Sequence, residues 1–367
     1  MRVLALVPAL YDTSPGQRFR IEQWAHYLQR DGFEFTFLPF EDEELHETIY
    51  RPGRYGRKAA LMVSALARRL RELRRVPDYD LVYLYREAAL VGPAFFERWI
   101  ASHRVPIVYD FDDPIWLPYR SPSNGSLSRL KCHSKTAAIC RMASAVIVGN
   151  QLLAKYARQH AKSVFVIPST IDMERHPARP NRSNGQPITL GWTGSHSTLP
   201  FLESIHPPLR SLARRWDFRL LVVSHTDSYH VAGLPVFARR WQPASEADDL
   251  QEIDIGLAPF PDSGWTPWRC HGKILQYMAA AVPSVASPVG IVPDYIQEGV
   301  NGFCANSPDE WVNKLERLLS CPSLRLRLGA AARDTVEQKY SASVWAAAFG
   351  DILRTVANKG LVERRPE

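Results

Sequence analysis

Short, almost wholly apolar runs recur along the first half of the chain: Val3–Val7, Phe35–Leu38, Leu81–Tyr85, Pro106–Tyr109, Ala145–Val148 and Val164–Ile167. Between them the apolar residues switch to helical spacing. Ile21, Trp24, Ala25 and Leu28 fall at i, i+3, i+4 and i+7, one stripe of an amphipathic helix. Apolar strands alternating with such helices predict parallel strands joined by crossover helices. The rhythm breaks at residues 174–187, ERHPARPNRSNGQP, which reads as a linker. It resumes with Ile188–Trp192, Phe218–Val223, Ile255–Leu257, Ser284–Ala286 and Gly302–Cys304. Ser307, Pro308 and Glu310 then mark a helix start: a capping side chain, a proline at the first turn and the acid of a capping box. Trp311, Leu315 and Leu318 form its buried face, and a last amphipathic helix runs from about Ser343 to Val356. The pattern predicts an α/β protein of two doubly wound, Rossmann-like halves: 1–173, a linker at 174–187, 188–340, and a terminal helical segment at 341–367. Such sheets bind ligands at the carboxyl ends of their strands, and two that face each other form a cleft.

Composition narrows the class. Apolar residues make up 46% and charged residues 23% of 367, which excludes a disordered, collagen-like or disulfide-scaffold protein. The net charge of +7 is concentrated in one place. Arg51–Arg75 holds nine Arg or Lys against one acid, Glu72, so the rest of the chain is close to neutral. Ala59, Leu61, Met62, Leu66, Leu70 and Leu73 lie among those cations. An amphipathic helix with an arginine rim suits an anionic membrane surface; the plainer reading is a helix packed on the first half with a solvated basic face. No RNA-recognition or zinc pattern occurs, so nucleic acid is not expected as a partner. The five cysteines include no CxxC, and free thiols in a reducing, cytoplasmic setting are expected. Met1–Leu10 reads as a buried first strand, not a secretory signal, and no apolar run is long enough to span a membrane.

Three stretches carry candidate chemistry. Gly194-Ser195-His196-Ser197-Thr198 follows a strand and precedes a helix with Phe201, Leu202 and Ile205 apolar. Backbone N–H groups, the helix dipole and three hydroxyls there would hold an anion, unless the segment is an ordinary capped turn. In DSGWTPWRCHGKILQYM, Asp262–Met278, a helix is expected from near His271, with Ile274, Tyr277 and Met278 buried. Arg269 and Lys273, four apart, would share its face. Two cations at a helix start oppose the dipole by up to about 1 kcal/mol, whereas hydrogen bonds to a bound anion return roughly 1.5–3 kcal/mol each. A solvated basic face is the alternative. Tyr109-Asp110-Phe111-Asp112-Asp113-Pro114 gathers three carboxylates at a strand end, a costly arrangement unless paired, solvated or functional. An Asp-x-Asp at a strand end also suits a divalent cation.

The run from Pro261 through Arg269, Lys273, Gln276, Tyr277 and Met278 to Val282-Pro283 and Ser287-Pro-Val-Gly290 resembles the donor-binding segment of GT-B fold glycosyltransferases. Within these it is closest to the retaining family four, the group 1 glycosyl transferases. Val166–Asp172, Asp254–Pro259 and Asp294–Phe303 resemble flanking segments of that family, and Ser14–Arg20 resembles its N-terminal glycine loop. The resemblance implies transfer of a sugar from a nucleotide-diphosphate donor to a carbohydrate or lipid-linked acceptor hydroxyl, with retention and without a metal. Arg269 and Lys273 would neutralise the departing diphosphate. Residues 194–198, Trp241, Gln276 and Tyr277 would also bind the donor. Asp112 would act at the donor sugar, and Gly16, Gln17, Arg18 and Asp110 would lie on the acceptor side. The terminal helix would return to the first half. Gln276 and Trp268 stand where many members carry the glutamates of an E-x7-E motif. Trp268 cannot do an acid's work, which leaves two alternatives: a nucleotide-sugar-binding protein without turnover, or an epimerase of the same fold. The location implied is the cytoplasm, peripheral on the inner membrane face.

Overall fold

β1 (Arg2–Val7) is buried from Val3 onward, as a strand covered on both faces requires. The computed structural model describes residues 1–49, 51–118, 130–180 and 187–364. The chain divides into two compact units, Met1–Ser169 with Trp345–Glu367, and Thr170–Val344.

The first unit holds β1, β2 (Glu34–Pro39), β3 (Leu81–Tyr85), β4 (Ile107–Phe111), β5 (Ala145–Val148) and β6 (Val164–Val166). They form one parallel sheet in the order β2-β1-β3-β4-β5-β6. Connections run one way from β1 to β2 and the other way from β3 onward, so the sheet reverses between β1 and β3. Ligands of open parallel sheets lie outside the strand ends at such a point. The terminal helix Ala342–Arg364 lies largely in this unit, where Phe349 stacks on Trp24 with ring centroids 5.0 Å apart. It is longer than the apolar stripe alone implied.

The second unit holds β7 (Ile188–Thr193), β8 (Phe218–Ser224), β9 (Val236–Arg240), β10 (Ile255–Ala258), β11 (Ser284–Ala286) and β12 (Phe303–Cys304). The order is β12-β11-β10-β7-β8-β9, again all parallel, and reverses between β7 and β10. β9 was not anticipated. It is a half-exposed edge strand whose two arginines break the apolar run. The helix Pro308–Ser320 carries the full capping box of Ser307 and Glu310 and buries Trp311, Leu315 and Leu318. Such caps contribute about 1 kcal/mol.

The boundary between units falls at Ser169/Thr170, before the expected linker. Arg179 pairs with Asp254 at 2.6 Å and donates to the Ile253 carbonyl at 2.7 Å, which fixes the start of the polar stretch to the second unit. Residues 181–186 of that stretch lie outside the described residues.

The helix Tyr55–Glu72 departs from the expected arrangement. It buries Lys58 and Arg69, and Arg69 donates to the carbonyls of Ala88 at 2.9 Å and Leu38 at 3.0 Å. Arg68 is tied to Asp42 at 2.5 Å. The exposed face carries Tyr55, Val63 and Leu70, at 56%, 65% and 47% exposure, alongside Arg57 and Arg71. No helix among the described residues is long and apolar enough to cross a membrane.

Candidate functional site

In the second unit the loops after β7 and β10 flank the reversal point, and they bring together most of the cationic and polar candidates. After β10 the chain runs through a 3-10 turn, Thr266–Trp268, to Arg269, and only then into the helix Gly272–Ala279. Arg269 has extended backbone and so does not share a helix face with Lys273. What joins the two is His271, held at φ 45°, which reverses the chain between them. Gly290, at φ 60°, lets the loop close: a Cβ there would collide with the Pro267 carbonyl oxygen. Tyr295 Oη donates to the Cys270 carbonyl at 3.0 Å, fixing the residue after Arg269.

Lys273 is half-buried, but its ammonium nitrogen is fully buried and makes no hydrogen bond to any described residue. It lies 4.2 Å from the Trp192 ring centroid and 5.5 Å from that of Phe260. Aromatic faces attract a cation, yet they do not satisfy its three N–H donors. Burial, reinforced by the Arg269 charge, holds the Lys273 pKa well below its ordinary value. The Arg269 guanidinium lies over Trp265, 4.8 Å from the ring centroid. A cation with buried, unused donors and a like charge beside it has one simple complement, an anion.

The loop after β7 lies against the same place. Trp192, next to the end of β7, packs its ring against Lys273, and Phe201, just past the loop, meets Trp265 with ring centroids 5.8 Å apart. Within Gly194–Thr198, Ser195 and Ser197 hydroxyls bond each other at 2.8 Å, and Thr198 Oγ1 donates to the Ser195 carbonyl at 3.1 Å. The following helix, Leu199–Glu203, is only five residues long, so its dipole is weaker than expected. His196 and His225 meet edge to face at 5.7 Å. Burial and then the His225 charge lower the His196 pKa, and burial and then Arg240 lower that of His225. Trp241 follows β9, its N–H donating to the Ser224 carbonyl at 2.6 Å.

Two donor-side candidates also make bonds within the protein. Tyr277 is fully buried, receiving the Thr193 N–H at 3.0 Å and touching the Gly191 and Leu257 carbonyls at 3.3 Å. It ties the Lys273 helix to β7 and β10, and its surroundings push its pKa up to about 12. Gln276 donates to the carboxylate of Glu246, both residues being buried. Glu246 begins the helix after β9 and was not anticipated. No spacing rule joins it to Gln276, which lies far along the chain.

The first unit corrects three acceptor-side expectations. Gln17 is fully buried, exchanging hydrogen bonds with Ala9 at 3.0 and 2.9 Å and donating to Glu22 at 2.6 Å. Arg18 is buried and pairs with Asp12 at 2.9 Å. Asp110 belongs to β4 and is fully buried, holding Arg20 through two bonds of 2.9 and 2.8 Å and accepting from Tyr83 Oη at 2.7 Å. Gln17 and Arg18 turn inward because the glycine loop is not a loop: it coils into helix from Pro15; Asp110 is buried by its place in the middle of the sheet.

Asp112 is different. It stands just past β4, near the point where that sheet reverses. Its Oδ1 accepts from Tyr85 Oη at 2.8 Å and from Arg86 Nε and Nη2 at 3.0 and 2.7 Å. Arg86 also reaches Asp113 Oδ2 at 2.6 Å. Gly16 packs on this cluster; a Cβ there would stand 3.0 Å from Tyr85 Oη and 3.1 Å from Asp112 Oδ2. Arg86 and Tyr85 left no sequence signal, since they read as the end of an apolar strand.

Residues 190–321 match the family described as glycosyl transferases group 1. No curated protein sequence matches the chain. Solved structures match over nearly its whole length. The Anabaena protein HepE in complex with UDP and glucose is 17% identical with a TM-score of 0.68, covering 97% of this chain and 100% of its own. A glycosyltransferase from Rickettsia africae is 15% identical with a TM-score of 0.66, covering 97% and 98%. Sucrose-phosphate synthase from Thermosynechococcus elongatus is 14% identical with a TM-score of 0.64, covering 97% and 99%. At these identities the structures show the fold, GT-B, as the resemblance implied.

Proposed function

We propose that this chain, whose residues 190–321 belong to the glycosyl transferases group 1, moves a sugar from a nucleotide-diphosphate donor to an acceptor hydroxyl with retention of configuration. The observation that carries this reading is the buried Lys273 ammonium with no hydrogen-bond partner among the described residues, beside Arg269 at the reversal point of the second sheet. A diphosphate supplies two negative groups, one for each cation. As the bond from sugar to phosphate breaks, charge grows on the leaving phosphate, and fixed cations aimed there lower the barrier without reorganising. The same cations do the work a divalent ion would otherwise do, so no metal is required. The departing phosphate oxygen takes the acceptor proton, and no strong general base is needed. Residues 194–198 support the phosphates. Trp241 stacks on the base, and Gln276 with Glu246 meets the ribose. Asp112 steadies positive charge on the sugar ring.

Uridine donors are the first to test, because HepE carries UDP and glucose. Purified protein is incubated with a panel of nucleotide sugars, and release of nucleoside diphosphate is followed with and without simple glycoside acceptors. Turnover in the wild type, with at least tenfold loss in Arg269→Ala and Lys273→Ala, is the expected result. Binding without any turnover favours a binding protein. Epimerised sugar released without acceptor favours an epimerase.

A second reading concerns location. The helix Tyr55–Glu72 exposes Tyr55, Val63 and Leu70, with Arg54 at one end and Arg71 and Arg74 at the other. An apolar strip bracketed by cations fits an anionic lipid surface, which would hold a lipid-linked acceptor near the enzyme at the cytoplasmic face.

A further inference from the structure

Lys273 is not alone among the buried donors at the reversal point of the second sheet. Trp192, in β7, is fully buried, and its indole nitrogen makes no hydrogen bond to any described residue. An indole N–H is a donor only, so it is satisfied by an acceptor or not at all. A buried donor without an acceptor weakens the fold. Packing does not call for it. The ring belongs to a core cluster with Leu190, Leu202 and Leu209, whose side chains need its carbon surface and offer no acceptor. A phenylalanine would supply a ring there without the stranded group.

The surroundings of the indole fix where its N–H is directed. One face carries the Lys273 ammonium, 4.2 Å from the ring centroid. The edge formed by Cζ2 and Cη2 abuts Gly194; a Cβ there would stand 2.6 and 2.5 Å from those two atoms. Cζ2 is bonded to Cε2, which bears Nε1, so the N–H leaves the ring beside that same edge. It points toward the start of the 194–198 loop, with the ammonium alongside. Gly194 and Lys273 are both part-exposed, which puts the two donors just beneath the surface of the crevice between the loops after β7 and β10. Two adjoining buried donors without acceptors, one charged and one neutral, share a simple complement: an anion with several oxygens.

We propose that the Trp192 N–H donates to a phosphate oxygen of the nucleotide donor, on the same phosphate group that the Lys273 ammonium meets. This rests on the glycosyl-transfer reading, and it adds a binding residue that reading does not contain. The indole brings a hydrogen bond without a third positive charge, so it does not repel Lys273 or Arg269 before the ligand arrives. Gly194 has a part in this, since any side chain there would drive the ring from its place.

The test replaces Trp192 with benzothienylalanine, which keeps the two fused rings and puts sulfur in place of the N–H, and separately makes Trp192→Phe. Binding of uridine diphosphate and of inorganic pyrophosphate is measured by calorimetry. The benzothienyl variant is expected to bind both about tenfold more weakly than wild type, while the free protein melts no lower. Trp192→Phe, which also leaves a void, loses at least as much affinity. Should neither variant fold, the wild type decides. Its Trp192 indole proton, identified in nuclear magnetic resonance spectra by contacts with Gly194, is expected to move downfield when either probe is added. Wild-type affinity in the benzothienyl variant overturns the proposal. So does a variant that loses stability and affinity together, which assigns the indole to packing, or an indole resonance that stays in place while the wild type binds. Each of these leaves the diphosphate reading standing, provided Lys273→Met abolishes binding. A wild type that binds neither probe overturns the reading beneath the proposal, a separate result.

Discussion

Lys273 is the residue on which most depends. A buried ammonium without hydrogen bonds destabilises the free protein, and replacing it with an apolar side chain of similar length relieves that cost. Lys273→Met is therefore expected to raise Tm, by the equivalent of about 1–4 kcal/mol, while removing nucleotide affinity. Differential scanning calorimetry with and without nucleoside diphosphate checks both halves; a variant that is less stable in the free form would mean the ammonium has a partner. The pH dependence follows from the same group. Its folded pKa lies below the ordinary value, so the unfolded chain binds the extra proton first, and the free protein loses stability as pH falls from about 10.4 toward the folded pKa. A bound anion raises that pKa again. Binding should thus take up protons and tighten as pH falls below about 10.4 toward the folded pKa, read by calorimetry in two buffers of different ionisation enthalpy. In the first unit, Asp110 and Asp112 should separate. Asp110→Asn strands the buried Arg20 and is expected to cost about 3–5 kcal/mol of stability, seen in urea melts. Asp112→Asn should cost less stability than that, because Arg86 keeps Asp113 as a partner, and should lower kcat.

Among elements, the loop from Trp265 to Gly272 is shaped by contacts distant in sequence. Gly290→Ala forces a left-handed alanine against the Pro267 carbonyl. The expected outcome is a loss of about 1–2 kcal/mol in stability and roughly tenfold in nucleotide affinity, since Arg269 moves with the loop. An unchanged affinity with a lowered Tm would show the loop yielding elsewhere. The helix Tyr55–Glu72 gives a second case. Val63→Glu with Leu70→Glu should abolish sedimentation with vesicles of phosphatidylcholine and phosphatidylglycerol at low salt, leaving nucleotide affinity intact. A wild type that ignores such vesicles ends the docking reading. Both elements show what the sequence reveals and what it hides. Periodicity places the strands within a residue or two, because strands buried on both faces leave a continuous apolar signal. The capping box is equally plain, being local. Which face of the basic helix is buried was not legible, because Arg69 finds backbone carbonyls in β2 and after β3 that no spacing rule foresees. Nor was the inward turn of Gln17, Arg18 and Asp110, which depends on partners such as Arg20 and Tyr83 from other elements. Arg269 and Lys273 were found as a pair, though the left-handed His271, not a shared helix face, brings them together.

On the scale of the molecule, each unit places its candidate residues at the one point where its sheet reverses direction. In the second unit this follows from the order β12-β11-β10-β7-β8-β9, which opens a crevice between the loops after β7 and β10. The residues proposed to hold the phosphates follow from those two loops, and Trp241 and Glu246 come from beyond β9. The first unit gathers Gly16, Tyr85, Arg86 and Asp112 in the same topological position. Fold alone does not fix chemistry; the unpartnered cation does most to choose among the uses of this architecture. The most direct test is a crystal structure of the protein with the nucleoside diphosphate that binds it tightest. Phosphate oxygens within about 3 Å of both Lys273 Nζ and the Arg269 guanidinium are the expected result. A nucleotide bound elsewhere, with the Lys273 ammonium still facing only Trp192 and Phe260, would contradict it.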